Sequence, residues 1–481
     1  MSRPASPMFI RFALALGLPF LVAVAVAATY LNKEVILGAG CVALVGGAFV
    51  LVQPIVGIVI MTALFLMAAY PTLLQSLGFL TINNLLGAGL LVVMAMQVID
   101  TRDLSFLKNR YVHVLLLIGG LFLLAGWHGA EIYPFLQKSR GKMFVLDKSD
   151  EMTHDFIARL VFFVFFTTFV RTRDHLKTLF LVFMFALFLA VPSALVNWMQ
   201  GTLNHGFRAE ASITAGSNPN RLGMICLMEV ACWWFWAVSR PTATRFLFAL
   251  GAIAGSMAVL LATGSRSALL GCGVLALALE TGVRKYRVPL PAMIAGAVVG
   301  LALVVTIVPP ESWQRMITLA PEQGEVGASS NKMREQTIWT AVDMVRDNPL
   351  LGIGIGRFRE VSRQVYFDPF YRPPHNSVLW AASEGGLPVL GLYFFLLWLA
   401  WKDLSVVTRL AHRDPELGHI SAAVRVIFIL YVFFSFFADL YLNPITYIMI
   451  GLIVCLRRYV EGLPEVTVAR APVAVRVATA A

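Results

Sequence analysis

Charge is what this chain has least of. Only 14% of its 481 residues are Asp, Glu, Lys or Arg, against a hydrophobic share of 58% and a mean hydropathy of +0.77. Soluble domains carry about 25% charge, so an ordinary soluble enzyme is excluded. Cysteine is also sparse: Cys41, Cys226, Cys232, Cys272 and Cys455 all fall inside apolar runs. Their spacing offers neither a CxxC metal pattern nor a disulfide framework, and they read as small buried hydrophobes. DxD, HExxH and other metal-ligand patterns are missing, as are internal repeats and low-complexity tracts.

What the chain does have is a succession of apolar runs, each long enough to cross a bilayer core as a helix. Spans are expected at 10–30, 35–51, 54–70, 83–99, 111–127, 155–171, 175–198, 219–238, 244–262, 266–281, 289–308, 375–400, 422–438 and 444–458. The run at 10–30 has no small-residue cleavage site before Asn32 and is read as the first span, not a signal peptide. The fold class is therefore an all-α polytopic membrane protein of about 12–14 transmembrane helices. Fourteen is the upper count; the second and third runs could form one kinked or re-entrant unit, and twelve is the lower count.

Basic residues set the orientation. With the N-terminus inside, clusters such as Arg102, Lys108, Arg110, then Arg171, Arg173, Lys177, and later Arg457, Arg458 all face the cytoplasm. The short loops of the other side hold Lys33, Arg208 and Arg266. That asymmetry is the positive-inside pattern, so both termini are expected in the cytoplasm. The net charge of +11 then reports topology, not nucleic-acid binding. The expected organisation is a bundle over 1–308, an outer segment over 309–374, further spans over 375–460 and a disordered cytoplasmic tail over 461–481.

The outer segment opens at Pro309-Pro310. Within it Asn331 to Asp347 has helical periodicity, with Ile338, Ala341, Val342 and Val345 on one face and Arg334, Glu335, Asp343 and Arg346 elsewhere. Pro349 ends it. The following "GIGIG" (Gly352 to Gly356) lacks the lysine and βα context of a phosphate loop. It reads as a turn where backbone can approach a neighbour closely.

Several polar residues sit where a membrane protein would not place them idly. Arg266 lies in the tight turn "TGSRS" between two spans, against the charge bias, and suits an anion. Arg208 and Arg221 bracket a segment ending in Asn218-Pro219, a helix start with Asn as N-cap and Pro at the first position. A helix N-terminus beside two guanidiniums favours an anionic ligand. His375, followed by Asn376, begins a span at the outer boundary, where a neutral imidazole can accept a proton from a hydroxyl. Alone it would be a structural residue; beside the arginines it gains a chemical one. Glu384 lies deeper in that span, where Gly385, Gly386 and Pro388 should break the helix. It needs a partner, either an arginine or freed backbone, which makes a structural role the stronger one. A leaving phosphate would have to be met by arginine, whose guanidinium grips two oxygens at once.

The succession "FRAEASITAGSNPNRLG", "TGSRSALLG", "NPLLGIGIGRF" and "HNSVLWAASEGGLPVLGLYFFL" resembles the bacterial O-antigen ligase and O-antigen polymerase superfamily over about residues 208–400. That resemblance implies an inner-membrane glycosyltransferase of the GT-C type with a periplasmic site. It implies a donor glycan on undecaprenyl pyrophosphate, an acceptor such as a lipid A–core sugar, inversion at the anomeric carbon, and no metal or other cofactor. Carried over, Arg208 and Arg266 would hold the pyrophosphate and His375 would activate the acceptor hydroxyl. Arg221, Arg357, Asn376 and Glu384 would be further substrate-binding residues. A polymerase or a protein O-glycosylating enzyme would share donor and chemistry. A flippase without chemistry would explain the spans but not the arginines, and no repeated halves support it.

Overall fold

The computed structural model describes residues 50, 52–67, 82–133, 148–201, 208–212, 218–281 and 328–463. Among these the regular elements are helices: α1 (Pro54–Met67), α2 (Ile82–Thr101), a 3-10 turn (Ser105–Lys108), α3 (Arg110–Ile132), α4 (Lys148–Phe169), α5 (Arg173–Phe188) and α6 (Ala190–Met199). They continue with α7 (Pro219–Ser239), α8 (Ala243–Ala262), α9 (Arg266–Thr281), α10 (Ala328–Asp347), α11 (Phe358–Gln364), α12 (Ser377–Leu410), α13 (Pro415–Phe434) and α14 (Pro444–Glu461). Seven helices among the described residues are long and apolar enough to cross a membrane. The protein is thus an all-α polytopic membrane protein. Each expected span from 54–70 onward, save 289–308, falls on a helix; the spans at 10–30 and 289–308, the span at 35–51 apart from residue 50, and the tail beyond residue 463 lie outside the described residues.

Local signals explain the boundaries. Asn218 caps α7 by accepting from Asn220 N, with Pro219 at the first position, as the sequence suggests. α13 starts earlier than the expected 422 because Asp414 caps it, accepting from Glu416 N and Leu417 N, with Pro415 next. α12, 34 residues long, would span about 51 Å if straight, well beyond the ~30 Å hydrocarbon core. It is broken at Gly386 (φ 74°, ψ 179°), with Pro388 just after, which is the break that "GGLP" predicts.

Packing places α7 at the centre. It contacts α8, α9 and α13, and α12 packs against α3 and α14. Aromatic edges fill the core: Trp233 of α7 meets Phe185 and Phe188 of α5 at ring-centroid distances of 5.3 and 5.2 Å. At one end of the bundle, Asp403 gathers Arg110, Arg457 and the Tyr111 hydroxyl (2.8 Å), joining α12, α3 and α14. Glu416 gathers Arg173, Lys177 and Arg240 at that same end. Basic residues of the clusters noted in the sequence therefore clamp helix ends together.

Candidate active site

The opposite end is built from the α8–α9 turn outward. Gly264 takes φ 58° to reverse the chain between Ala262 and Arg266. The turn is tied by buried hydroxyls: Ser265 Oγ donates to Asn220 Oδ1 (2.8 Å) and lies 3.0 Å from Ser267 Oγ, while Ser265 N donates to Thr263 Oγ1 (3.2 Å). Arg208 locks the assembly from behind. Its Nε donates to Thr263 O (2.8 Å) and its Nη2 to Asn220 Oδ1 (3.3 Å), and Ala209 N donates to Ala262 O (2.9 Å). Arg208 is buried, so it braces the two helix starts that present Arg221 and Arg266.

α10 then crosses this end. Asn331 Oδ1 accepts from Arg266 Nη1 (3.0 Å). Three residues on, Arg334 is turned inward; burial, and then the charge of Arg266, pull its pKa below the usual arginine value, while Asp439 acts the other way. The face of α10 differs from the one expected from periodicity. Thr337, Thr340, Ala341 and Met344 are buried, whereas Ile338, Trp339 and Val342 stay exposed. The physical reason is that the helix packs on α12 with Asn331 and Arg334 engaged below it, and a helix can turn only one stripe toward that surface. Ile338, Trp339 and Val342 are left facing away from the bundle.

The imidazole enters from the other side. His375 adopts φ 49°, a left-handed conformation costly for a residue with a Cβ. Its Nδ1 lies 3.1 Å from Asp439 Oδ2. Three consecutive residues divide the labour. His375 faces Asp439; Asn376 caps α12, accepting from Val378 N (2.9 Å) and Leu379 N (3.1 Å); Ser377 clamps the Asp439 loop. Ser377 Oγ donates to Ala438 O (2.6 Å) and accepts from Leu440 N (2.7 Å), and Ser377 N donates to Ser435 O (2.7 Å). Asp439 is thus gripped by its two chain neighbours, and its Oδ1 is buried without a hydrogen-bond partner among the described residues. Arg221 and Arg334 both lie within electrostatic reach of that carboxylate.

Arg221, Arg266 and His375 are therefore brought to one place, with Arg208 behind them. Arg334 and Asp439 join them, and sequence reading assigned neither a role. Arg334 was legible only as one more charge on an amphipathic helix; Asp439 sat in the turn "DLYLNP", whose companion residues lie about sixty positions earlier in the chain.

Two other candidates stand elsewhere. Arg357 Nη1 donates to Gly126 O (2.6 Å) near the end of α3. Glu384 is wholly buried and binds freed backbone, the option that needs no arginine: it accepts from Phe358 N (3.3 Å) and the Tyr441 hydroxyl (2.7 Å). Around it the "GIGIG" loop threads the break in α12, with Ile353 N donating to Ser383 O and Gly354 N to Glu384 O, both at 2.9 Å. A Cβ on Gly352 (φ 65°) would sit 2.6 Å from that backbone, so only glycine allows the approach. Asn376, as the cap, is likewise committed to the backbone.

Fold and site together define a multi-pass membrane protein whose polar end concentrates guanidinium groups around one histidine–aspartate pair. Residues 246–394 match the family model described as O-antigen ligase, a stretch from α8 into α12 that includes Arg266, Arg334 and His375. The match supports a likeness of this stretch to the O-antigen ligase superfamily and does not separate its ligase and polymerase branches. No curated protein matches the chain.

Proposed function

We propose that this protein is a glycosyltransferase of the ligase type, moving a glycan from undecaprenyl pyrophosphate to an acceptor hydroxyl, with a lipid A–core sugar as acceptor, on the periplasmic side of the bacterial inner membrane. The observation that carries this reading is a convergence of guanidinium groups beside the histidine–aspartate pair: the Asp439 carboxylate acts on both Arg221 and Arg334, and Arg334 is within electrostatic reach of Arg266. A pyrophosphate offers such a cluster several oxygens at once, and guanidiniums grip them through bidentate contacts.

The Asp439 contact, with a proton on Nδ1, leaves the Nε2 lone pair of His375 to take the acceptor proton. The bond from the anomeric carbon to the pyrophosphate oxygen breaks as the bond to the acceptor oxygen forms. Attack from the face opposite the leaving group inverts the centre. The arginines meet the charge that develops on the departing oxygen, where fixed donors are most effective. An apolar groove of about 390 Å³ between α12 and α13 supports a lipid-borne donor. It is lined by Phe394, Trp398 and Val432, and reaches Val378 and Ser435 beside the histidine–aspartate pair.

The test is transfer by the full chain in proteoliposomes supplied with a lipid-pyrophosphate glycan and a lipid A–core acceptor. His375→Ala and Arg266→Ala each reduce transfer by about 100-fold or more at unchanged protein level. Arg266→Lys recovers little, since an ammonium lacks the fork that grips two oxygens. Retained transfer in both alanine variants overturns the mechanism. Extension of the lipid-linked glycan itself, without transfer to the core, would assign the polymerase branch.

A further inference from the structure

At the end of the bundle opposite the arginine cluster, the end of α2, the 3-10 turn, the end of α4 and α14 enclose a cavity of about 250 Å³. Its lining changes character with depth. Met94 and Val454 make an apolar floor, and Val454 lies one helical turn further into the bundle than Arg458. Lys108, Arg171 and Arg458 make the rim.

The rim is preset by the backbone. Arg458 Nη1 donates to Thr167 O (2.7 Å) and its Nη2 to Val170 O, the carbonyl end of α4. Arg171 Nε donates to Thr168 O (2.8 Å), which directs the rest of its guanidinium. Asp103, the one carboxylate in the lining among the described residues, is already committed to its own turn, accepting from Ser105 N (2.8 Å). Hydrogen bonds from Ser105, and more weakly the charges of Arg171 and Lys108, keep that carboxyl below its usual range. Three cations and one committed anion leave the cavity positive at the level where the helices end. A volume of 250 Å³ equals roughly eight waters, room for a phosphate and its glycerol.

We propose that this cavity binds the phosphate headgroup of an anionic membrane phospholipid, with Lys108 and Arg171 on the phosphate and the acyl chains descending along Met94 and Val454. The site is separate from the proposed donor site and does not depend on that chemistry. A basic pocket between helices at the membrane boundary is a fitting receptor for such a headgroup.

The experiment titrates the purified full chain, in an uncharged detergent, with phosphatidylglycerol, phosphatidylcholine or inorganic phosphate, reading retained lipid by native mass spectrometry and the shift in unfolding temperature. Phosphatidylglycerol is retained and protective, phosphatidylcholine much less so. Combined Lys108→Gln and Arg171→Gln weakens phosphatidylglycerol binding about thirtyfold, at roughly one surface charge each. Ser105→Trp, which keeps the charges but fills the cavity, abolishes it, and Arg409→Gln, a control on the same end, changes nothing. Equal phosphatidylglycerol binding by the wild type and both cavity variants overturns the site. Protection by inorganic phosphate equal to that by phosphatidylglycerol overturns the lipid assignment.

Discussion

Replacing Asp439 by Asn separates the proposed chemistry from simple architecture. The carboxylate stands 3.1 Å from His375 Nδ1, and its other oxygen is buried without a hydrogen-bond partner among the described residues. The amide can point its NH2 group at Nδ1, which forces the imidazole proton onto Nε2 and removes the lone pair that takes the acceptor proton. General-base catalysis contributes about 10²–10⁴-fold, or roughly 3–5 kcal/mol of barrier at 1.36 kcal/mol per decade. The kcat of Asp439→Asn should fall by that factor. Binding should move the other way. Asp439 offsets Arg221 and Arg334, so its neutralisation leaves the cluster more positive, and the KM for the pyrophosphate donor stays level or drops. The assay is steady-state transfer with donor and acceptor varied separately, on Asp439→Asn, His375→Ala and the double variant. Residues acting as one unit are non-additive, so the double variant should be no worse than His375→Ala alone. An unchanged kcat for Asp439→Asn, or losses that simply multiply in the double variant, would refute the dyad.

The other expectations concern ligand, loop and clamp. Arg334→Gln should raise the KM for the donor about tenfold or more with a smaller change in kcat, and stabilise the ligand-free protein by relieving repulsion with Arg266; donor titration and an unfolding curve read both. Gly386→Ala places a Cβ at φ 74° and 2.5 Å from Leu350 O, at a cost of about 1–3 kcal/mol or more; thermal unfolding should shift down, with Gly391→Ala, which has open space, as the control. Asp403→Ala strands Arg110 and the Tyr111 hydroxyl and leaves Arg457 to Glu461, costing about 1–3 kcal/mol and lowering stability without altering the donor KM.

The spans were legible because bilayer crossing imposes a length and an apolarity that composition alone displays, and "NP" and "GGLP" fixed a helix start and a break by local rules. Contacts between distant segments were not legible in that way. Arg334 looked like a solvated charge because periodicity ranks residues by hydropathy, whereas α10 is oriented by what lies beneath it. Asn331 reaches Arg266, and that polar contact overrides the apolar stripe, leaving Ile338 and Trp339 outward. Asp439 was hidden for the opposite reason: nothing in "DLYLNP" signals chemistry, and its meaning comes from Ser377, whose hydroxyl binds the residues on either side of it. A histidine held at φ 49° and an aspartate gripped by its neighbours are both preset before any substrate arrives. The strain at His375 is therefore carried by the clamp, so Ser377→Ala should cost activity through the placement of Asp439 although it removes no charge. Its kcat should fall alongside that of Asp439→Asn while the donor KM holds; a rise in KM with kcat intact would instead mean that the Ser377 clamp serves ligand binding.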